Sequence, residues 1–166
     1  MSTRGREAGD VTIPRDPRER VVVAGAEGLH LLGRFFQAML LNHLKDPRKV
    51  RTMDKLNLVV AVAPPVHRDC ALTLAFSEGR VTLEGGVPPR PDVVLEGEPA
   101  MLMKLARMPA GPAALRFLRT HEGRAVIAAL RSGELRIRGA ARHPLGMMRF
   151  ARLLAPGIDR RRSGQG

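Results

Sequence analysis

From about Ala26 to Leu44, apolar residues recur at three- and four-residue steps: Leu29, Leu32, Phe36, Met39 or Leu40, and Leu44. That spacing predicts a helix with one buried stripe. Asp46-Pro47 ends it, because a residue before proline is pushed out of the helical region. The more polar stretch Arg48–Lys55 is expected to add a further turn or two. The rhythm then shifts to period two. Leu58, Val60 and Val62 alternate with Asn57, Val59 and Ala61 until Pro64-Pro65 stops the run. Cys70, Leu72, Leu74 and Phe76 share one face of the next predicted strand. Ser77-Glu78-Gly79 reads as a tight hairpin turn. Val81 and Leu83 alternate with Arg80, Thr82 and Glu84 on the strand that follows, and DVVLEG at 92–97 supplies a fourth.

Helical spacing returns at Pro99, a residue suited to a first helical turn, with Met101, Leu102, Leu105 and Met108 in a stripe. A second helix is expected from about Pro112, and a third from Thr120, as N-cap, to Ser132-Gly133. GELRIRG at 133–139 reads as a fifth strand with Leu135 and Ile137 facing in. A last helix opens at Pro144 and is apolar almost all round apart from Arg149 and Arg152, so it should be buried or should cover an apolar ligand. The order of helix, four strands, helices, strand and helix predicts an α+β fold: a mostly antiparallel five-stranded sheet with helices packed on one face. Residues 1–20, polar and carrying Pro14 and Pro17, are expected to form a disordered arm. One domain is expected over 21–156, and a basic flexible tail over 157–166.

The chain of 166 residues is 44% apolar but only 3% aromatic, so its core volume must come from Leu, Val, Ala, Met and five Phe. The first twenty residues hold no apolar stretch of a secretory signal, and the longest apolar run, 29–44, is broken by polar side chains. With the single Cys70, this predicts a cytoplasmic protein. The net charge of +12 is uneven: residues 21–99 are neutral, whereas residues 100–152 carry eleven basic residues against Glu122 and Glu134. Such a field attracts phosphate, of anionic lipid or of nucleic acid. Nucleic acid ranks last among the partners, because stacking aromatics are missing.

Catalytic chemistry is sparse. The five His, at 30, 43, 67, 121 and 143, lack metal-ligand spacing. His121-Glu122 opens like a metalloprotease motif without its second His. Cys70 is expected to be a small buried hydrophobe. VVVAGAEG at 21–28 looks like a strand entering a phosphate loop but lacks the full glycine pattern. No enzyme activity, metal or cofactor is expected.

PDVVLEGEPAMLMKLARM at 91–108 and SGELRIRGAARHPLGMMRFARLL at 132–154 resemble the sterol-carrier family, the non-specific lipid-transfer proteins. The hairpin LTLAFSEGRVTLEGG at 72–86 falls where that family has paired strands, and the resemblance covers roughly residues 30–155. The segment between Met108 and Gly133 is longer than the family's pattern, with room for an extra helix. The resemblance implies a permissive apolar-ligand carrier with a hydrophobic tunnel between sheet and C-terminal helix. One wall is then expected from Leu58, Val60, Val62, Leu72, Leu74, Phe76, Leu83, Leu135 and Ile137. The other is expected from Met101, Leu105, Met147, Met148 and Phe150. Because Met adapts its shape, its clustering on two helices suits a permissive surface as well as ordinary core. The alternative is a non-catalytic accessory protein for the synthesis of lipid-soluble quinones or other lipids, docked on an acidic protein partner. For a carrier, Lys104, Arg107, Arg116, Arg119, Arg124, Arg149 and Arg152 are the expected membrane-docking groups.

Overall fold

The computed structural model describes residues 16–25 and 29–156. Six strands form one mixed sheet: β1 (Val21–Ala24), β2 (Leu58–Ala63), β3 (Leu72–Ser77), β4 (Arg80–Gly85), β5 (Val93–Glu96) and β6 (Arg136–Arg138), in the order β1-β4-β3-β2-β5-β6. Seven α-helices accompany them among the described residues: α1 (Pro17–Arg20), α2 (Leu31–His43), α3 (Pro47–Asp54), α4 (Pro99–Ala106), α5 (Pro112–Leu118), α6 (His121–Ser132) and α7 (Pro144–Leu154).

The fold is α+β as expected, but the sheet is corrected from five mostly antiparallel strands to six mixed ones. β1 pairs in parallel with β4, and β2 in parallel with β5. The β3–β4 hairpin occupies one edge of β2, so the returning chain can pair only with the other. Asp92 fixes that return: its carboxylate accepts from the Val59 amide at 2.8 Å, and its own amide donates to the Val59 carbonyl at 2.9 Å. β1 carries no alternation to read, being four residues long at the sheet edge with Val22 and Val23 exposed.

The hairpin turn has positive φ at both Glu78 (50°) and Gly79 (72°), the twist that suits a two-residue connection. Gly139, which ends β6, has φ 82°, and a Cβ there would lie 2.1 Å from the Asp92 carbonyl oxygen. Only glycine meets both conditions.

Leu58, Val60, Val62, Leu72, Leu74, Phe76, Val81, Leu83, Val93 and Leu95 are all buried on one sheet face. Phe36 and Leu40 of α2 and Phe150 and Leu153 of α7 complete that core, with Phe76 and Phe150 edge to face at 5.7 Å. Thr120 caps α6 as expected, accepting from the Gly123 amide at 3.1 Å, and Gly133 closes the helix in the left-handed conformation.

Three expectations change locally. The first helix begins at Leu31, and residues 26–28 lie outside those described. Cys70 sits in a 3-10 turn, Arg68–Cys70, half-buried beside β3 rather than on its inward face. Residues 17–20, expected in the N-terminal arm, form α1, with Asp16 as its N-cap. Arg20 there is buried, pairing with Asp54 at 2.6 Å and donating to the Gly79 carbonyl at 3.0 Å. The rest of the arm and the tail 157–166 lie outside the described residues.

Candidate functional site

The fold leaves a cavity of about 350 Å³ over its β5–β6 side. Phe36 of α2, Leu95 of β5 and Ile137 of β6 form its floor. Leu102, Leu105 and Ala106 of α4, the connecting residues 108–111 and Ala114 of α5 form one flank. Met147, Met148, Phe150, Ala151, Arg152 and Leu154 of α7 form the other. The opening has a local cause. Residues 109–114, PAGPAA, are small and contain two prolines, so the chain between α4 and α5 passes the site without a large side chain to fill it. A space of this size lies at the lower end of the range for small-molecule sites, roughly 300–1,000 Å³.

Of the fourteen ligand-wall residues expected from the sequence, the structure brings five to this cavity: Leu105, Ile137, Met147, Met148 and Phe150. Leu58, Val60, Val62, Leu72, Leu74, Phe76, Leu83 and Leu135 are not on its wall; they are closed into the core at 2% exposure or less. Met101 packs half-buried against the core and also lies off the wall. Alternation along a strand reports which side faces inward, but not whether the facing helices fill the space. The lining that the sequence reading misses is mostly α4–α5 and the end of α7, and the run of small residues at 109–114 is its readable signal.

The wall holds no carboxylate, imidazole, thiol or hydroxyl, and Arg152 is its one charged residue. Arg152 and Met148 are both exposed while lining the cavity, which places them at its mouth. The C-terminal turn of α7 is held from beneath by two cationic or ionisable groups. Lys49 of α3 donates from Nζ to the Leu153 carbonyl at 3.1 Å and also to the carbonyls of Arg152 and Ala155. His43 of α2 donates from Nδ1 to the same Leu153 carbonyl at 2.9 Å. Burial pushes both pKa values below their ordinary range. The Leu153 hydrogen bond opposes this at His43 while Lys49 adds to it, and the charge of Asp46 opposes it at Lys49.

The expected docking cations separate into two kinds. Lys104, Arg107, Arg116, Arg119, Arg124 and Arg152 are exposed, with Arg107 lying over the Phe35 ring at 5.5 Å. Arg149 is half-buried and donates to the Lys55 carbonyl at 2.7 Å, so it ties α7 to the end of α3. His143 lies 3.6 Å from Asp92 at the sheet end, outside the cavity wall. Among the described residues no group of His, Cys, Asp and Glu could hold a metal ion, and no helix is long and apolar enough to cross a membrane.

No family model matches the chain, and no curated protein matches it. Solved structures do. The chain is similar to a ubiquinone synthesis protein, UbiJ-SCP2, at 21% identity and a TM-score of 0.49, covering 75% of this chain and 91% of that one. It is similar to sterol carrier protein 2 at 14% identity and 0.43, covering 75% and 97%. A conserved hypothetical protein from Thermus thermophilus aligns at 16% identity and 0.38, covering 82% and 97%.

Proposed function

We propose that the chain binds an apolar ligand in the cavity between α4–α5 and α7 and carries it through water. The observation that supports this is the cavity wall: sixteen of its seventeen residues are uncharged and lack any hydroxyl, thiol or carboxylate, in a protein whose adjoining core is closed. Burial of apolar surface is non-directional, at about 25 cal/mol per Å², so such a wall selects for size and hydrophobicity rather than for one compound. The same wall offers no general acid, base or nucleophile, which favours binding over catalysis. A carrier and an accessory protein that presents an isoprenoid intermediate would use this cavity alike, and the identity of the recovered ligand separates them. Loading from a membrane fits the exposed cations on α4–α7, together with Leu115, Leu145 and Met148, which are exposed on the two helices flanking the mouth.

Native mass spectrometry and solvent extraction of the purified chain test the reading, with Ala114→Trp as a cavity-filling control. A lipid recovered from the unaltered protein and absent from folded Ala114→Trp is the expected result. No lipid, and no binding of any hydrophobic probe, would overturn it.

A further inference from the structure

Resting on the cavity reading, we infer that the ligand is an amphiphile with an anionic head, a carboxylate or phosphate, that Arg152 receives at the cavity mouth. Arg152 is the one charge on an otherwise apolar wall. Its guanidinium makes no hydrogen bond or ion pair with any described residue. A basic residue in the last turn of a helix ordinarily answers the exposed carbonyls there and the negative end of the helix dipole. That task is already performed: Lys49 reaches the carbonyls of Arg152, Leu153 and Ala155, and His43 reaches Leu153. Among the described residues the Arg152 fork has no partner, and it lies beside an apolar opening.

The same contacts remove the objection that a helix C-terminus repels anions. The Lys49 ammonium sits on those carbonyls and offsets the negative end of the helix dipole there. Geometry sets the polarity of binding. The tail enters between Met147, Phe150 and Leu105, and the head stays at the solvent edge where Arg152 and Met148 are exposed. At about 30 Å³ per water-sized group, 350 Å³ holds roughly a dozen such groups, which matches a ten-carbon chain with its head.

Decanoate and 1-decanol, both kept below aggregation, are the probes, each titrated against the full-length chain by displacement of a hydrophobic fluorophore. Decanoate is expected to bind on the order of tenfold more tightly than decanol, the scale of one charge-assisted hydrogen bond at a partly wet site. Arg152→Gln should erase the preference of decanoate over decanol, and Arg152→Lys should retain part of it. Decyl phosphate as a monomer and anionic vesicles form separate arms, distinguishing a free anionic head from one in a bilayer. Equal binding of acid and alcohol, or a preference that survives Arg152→Gln in a protein of unchanged circular dichroism, would overturn the inference and leave the cavity reading standing. Failure of every probe to bind would overturn both.

Discussion

The imidazole of His43, on α2, meets the Leu153 carbonyl of α7 at 2.9 Å, and the Lys49 ammonium reaches the same oxygen at 3.1 Å. The carbonyl accepts, so Nδ1 carries a proton. Burial lowers the His43 pKa below 6.5; the Leu153 bond opposes the shift and Lys49 reinforces it. An unfolded chain therefore takes up a proton as pH falls through 6.5, while native His43 resists until a lower pH. Stability contributed by this site is fully present above about pH 6.5 and is lost on acidification towards the depressed native value. Urea midpoints of the wild type should fall between about pH 7.5 and about pH 5.5 by more than those of His43→Gln. Identical pH slopes for the two proteins would show that His43 carries no such linkage.

Lys49 should matter more than its position on a half-exposed helix suggests. Among the described residues, Lys49→Met leaves the carbonyls of Arg152 and Ala155 without a side-chain donor and Leu153 with His43 alone. An acceptor left without its partner costs about 1–3 kcal/mol when buried, and these are only partly so, so a loss of about 1–2 kcal/mol is expected. Hydrogen exchange should rise at the last turn of α7 before it rises in β2 or β3. A uniform change over the whole chain would argue against a local clamp.

Period-two runs give away most of the sheet because the inward face of β2, β3 and β4 is sealed by α2 and α7 and tolerates no polar residue. The hairpin is equally legible, since Glu78-Gly79 supplies the positive φ its turn demands. β1 is not, for VVVA at an edge needs no alternation and finds its partner, β4, sixty residues away. The cavity escapes a sequence reading for a related reason: it depends on what is missing between α4 and α5. Ala110 and Gly111 fall between two expected helices and Ala114 in the first turn of the second, and nothing in the periodic pattern marks them until the fold sets them on one wall with Met147 and Met148. Arg149 groups with the surface cations in the sequence because charge alone cannot reveal that the Lys55 carbonyl accepts its hydrogen bond.

Arg20 has no signal in its surroundings, and its burial makes a sharp prediction. It is 5% exposed and joined to Asp54 at 2.6 Å and to the Gly79 carbonyl at 3.0 Å, tying α1 to the end of α3 and to the hairpin turn. Breaking a buried pair by removing one partner strands the other and costs up to about 3–5 kcal/mol; Asp54 is 29% exposed, so about 2–3 kcal/mol is expected for Arg20→Ala. Asp54→Asn should cost less, as the amide oxygen still accepts. Thermal melts of both variants check the order, and the opposite order would refute it.

Membrane contact is the prediction that the structure most reshapes. Arg116 and Arg119 of α5 are exposed, as are Lys104, Arg107, Arg124 and Arg152, whereas Arg149 is committed to Lys55. Leu115 (67% exposed) on α5 and Leu145 (60%) on α7 add apolar groups beside these charges, the combination that an interfacial surface needs. Each basic residue close to an anionic bilayer contributes about 1 kcal/mol, so reversing the charge of two should reduce partitioning roughly tenfold or more. Arg116→Glu with Arg119→Glu is the informative pair, because neither side chain makes a hydrogen bond or ion pair with a described residue. Arg149→Glu would instead disturb the α3–α7 join and confound binding with folding. Co-sedimentation with vesicles containing about a third phosphatidylserine should be strong at low salt and fade towards about 1 M, where the Debye length shrinks to about 3 Å. Leu115→Ser should weaken binding at every salt concentration, since its contribution is not electrostatic. Binding that is the same on zwitterionic vesicles, or unaffected by the double charge reversal, would remove α5 from any membrane-facing role while leaving the cavity and Arg152 untouched.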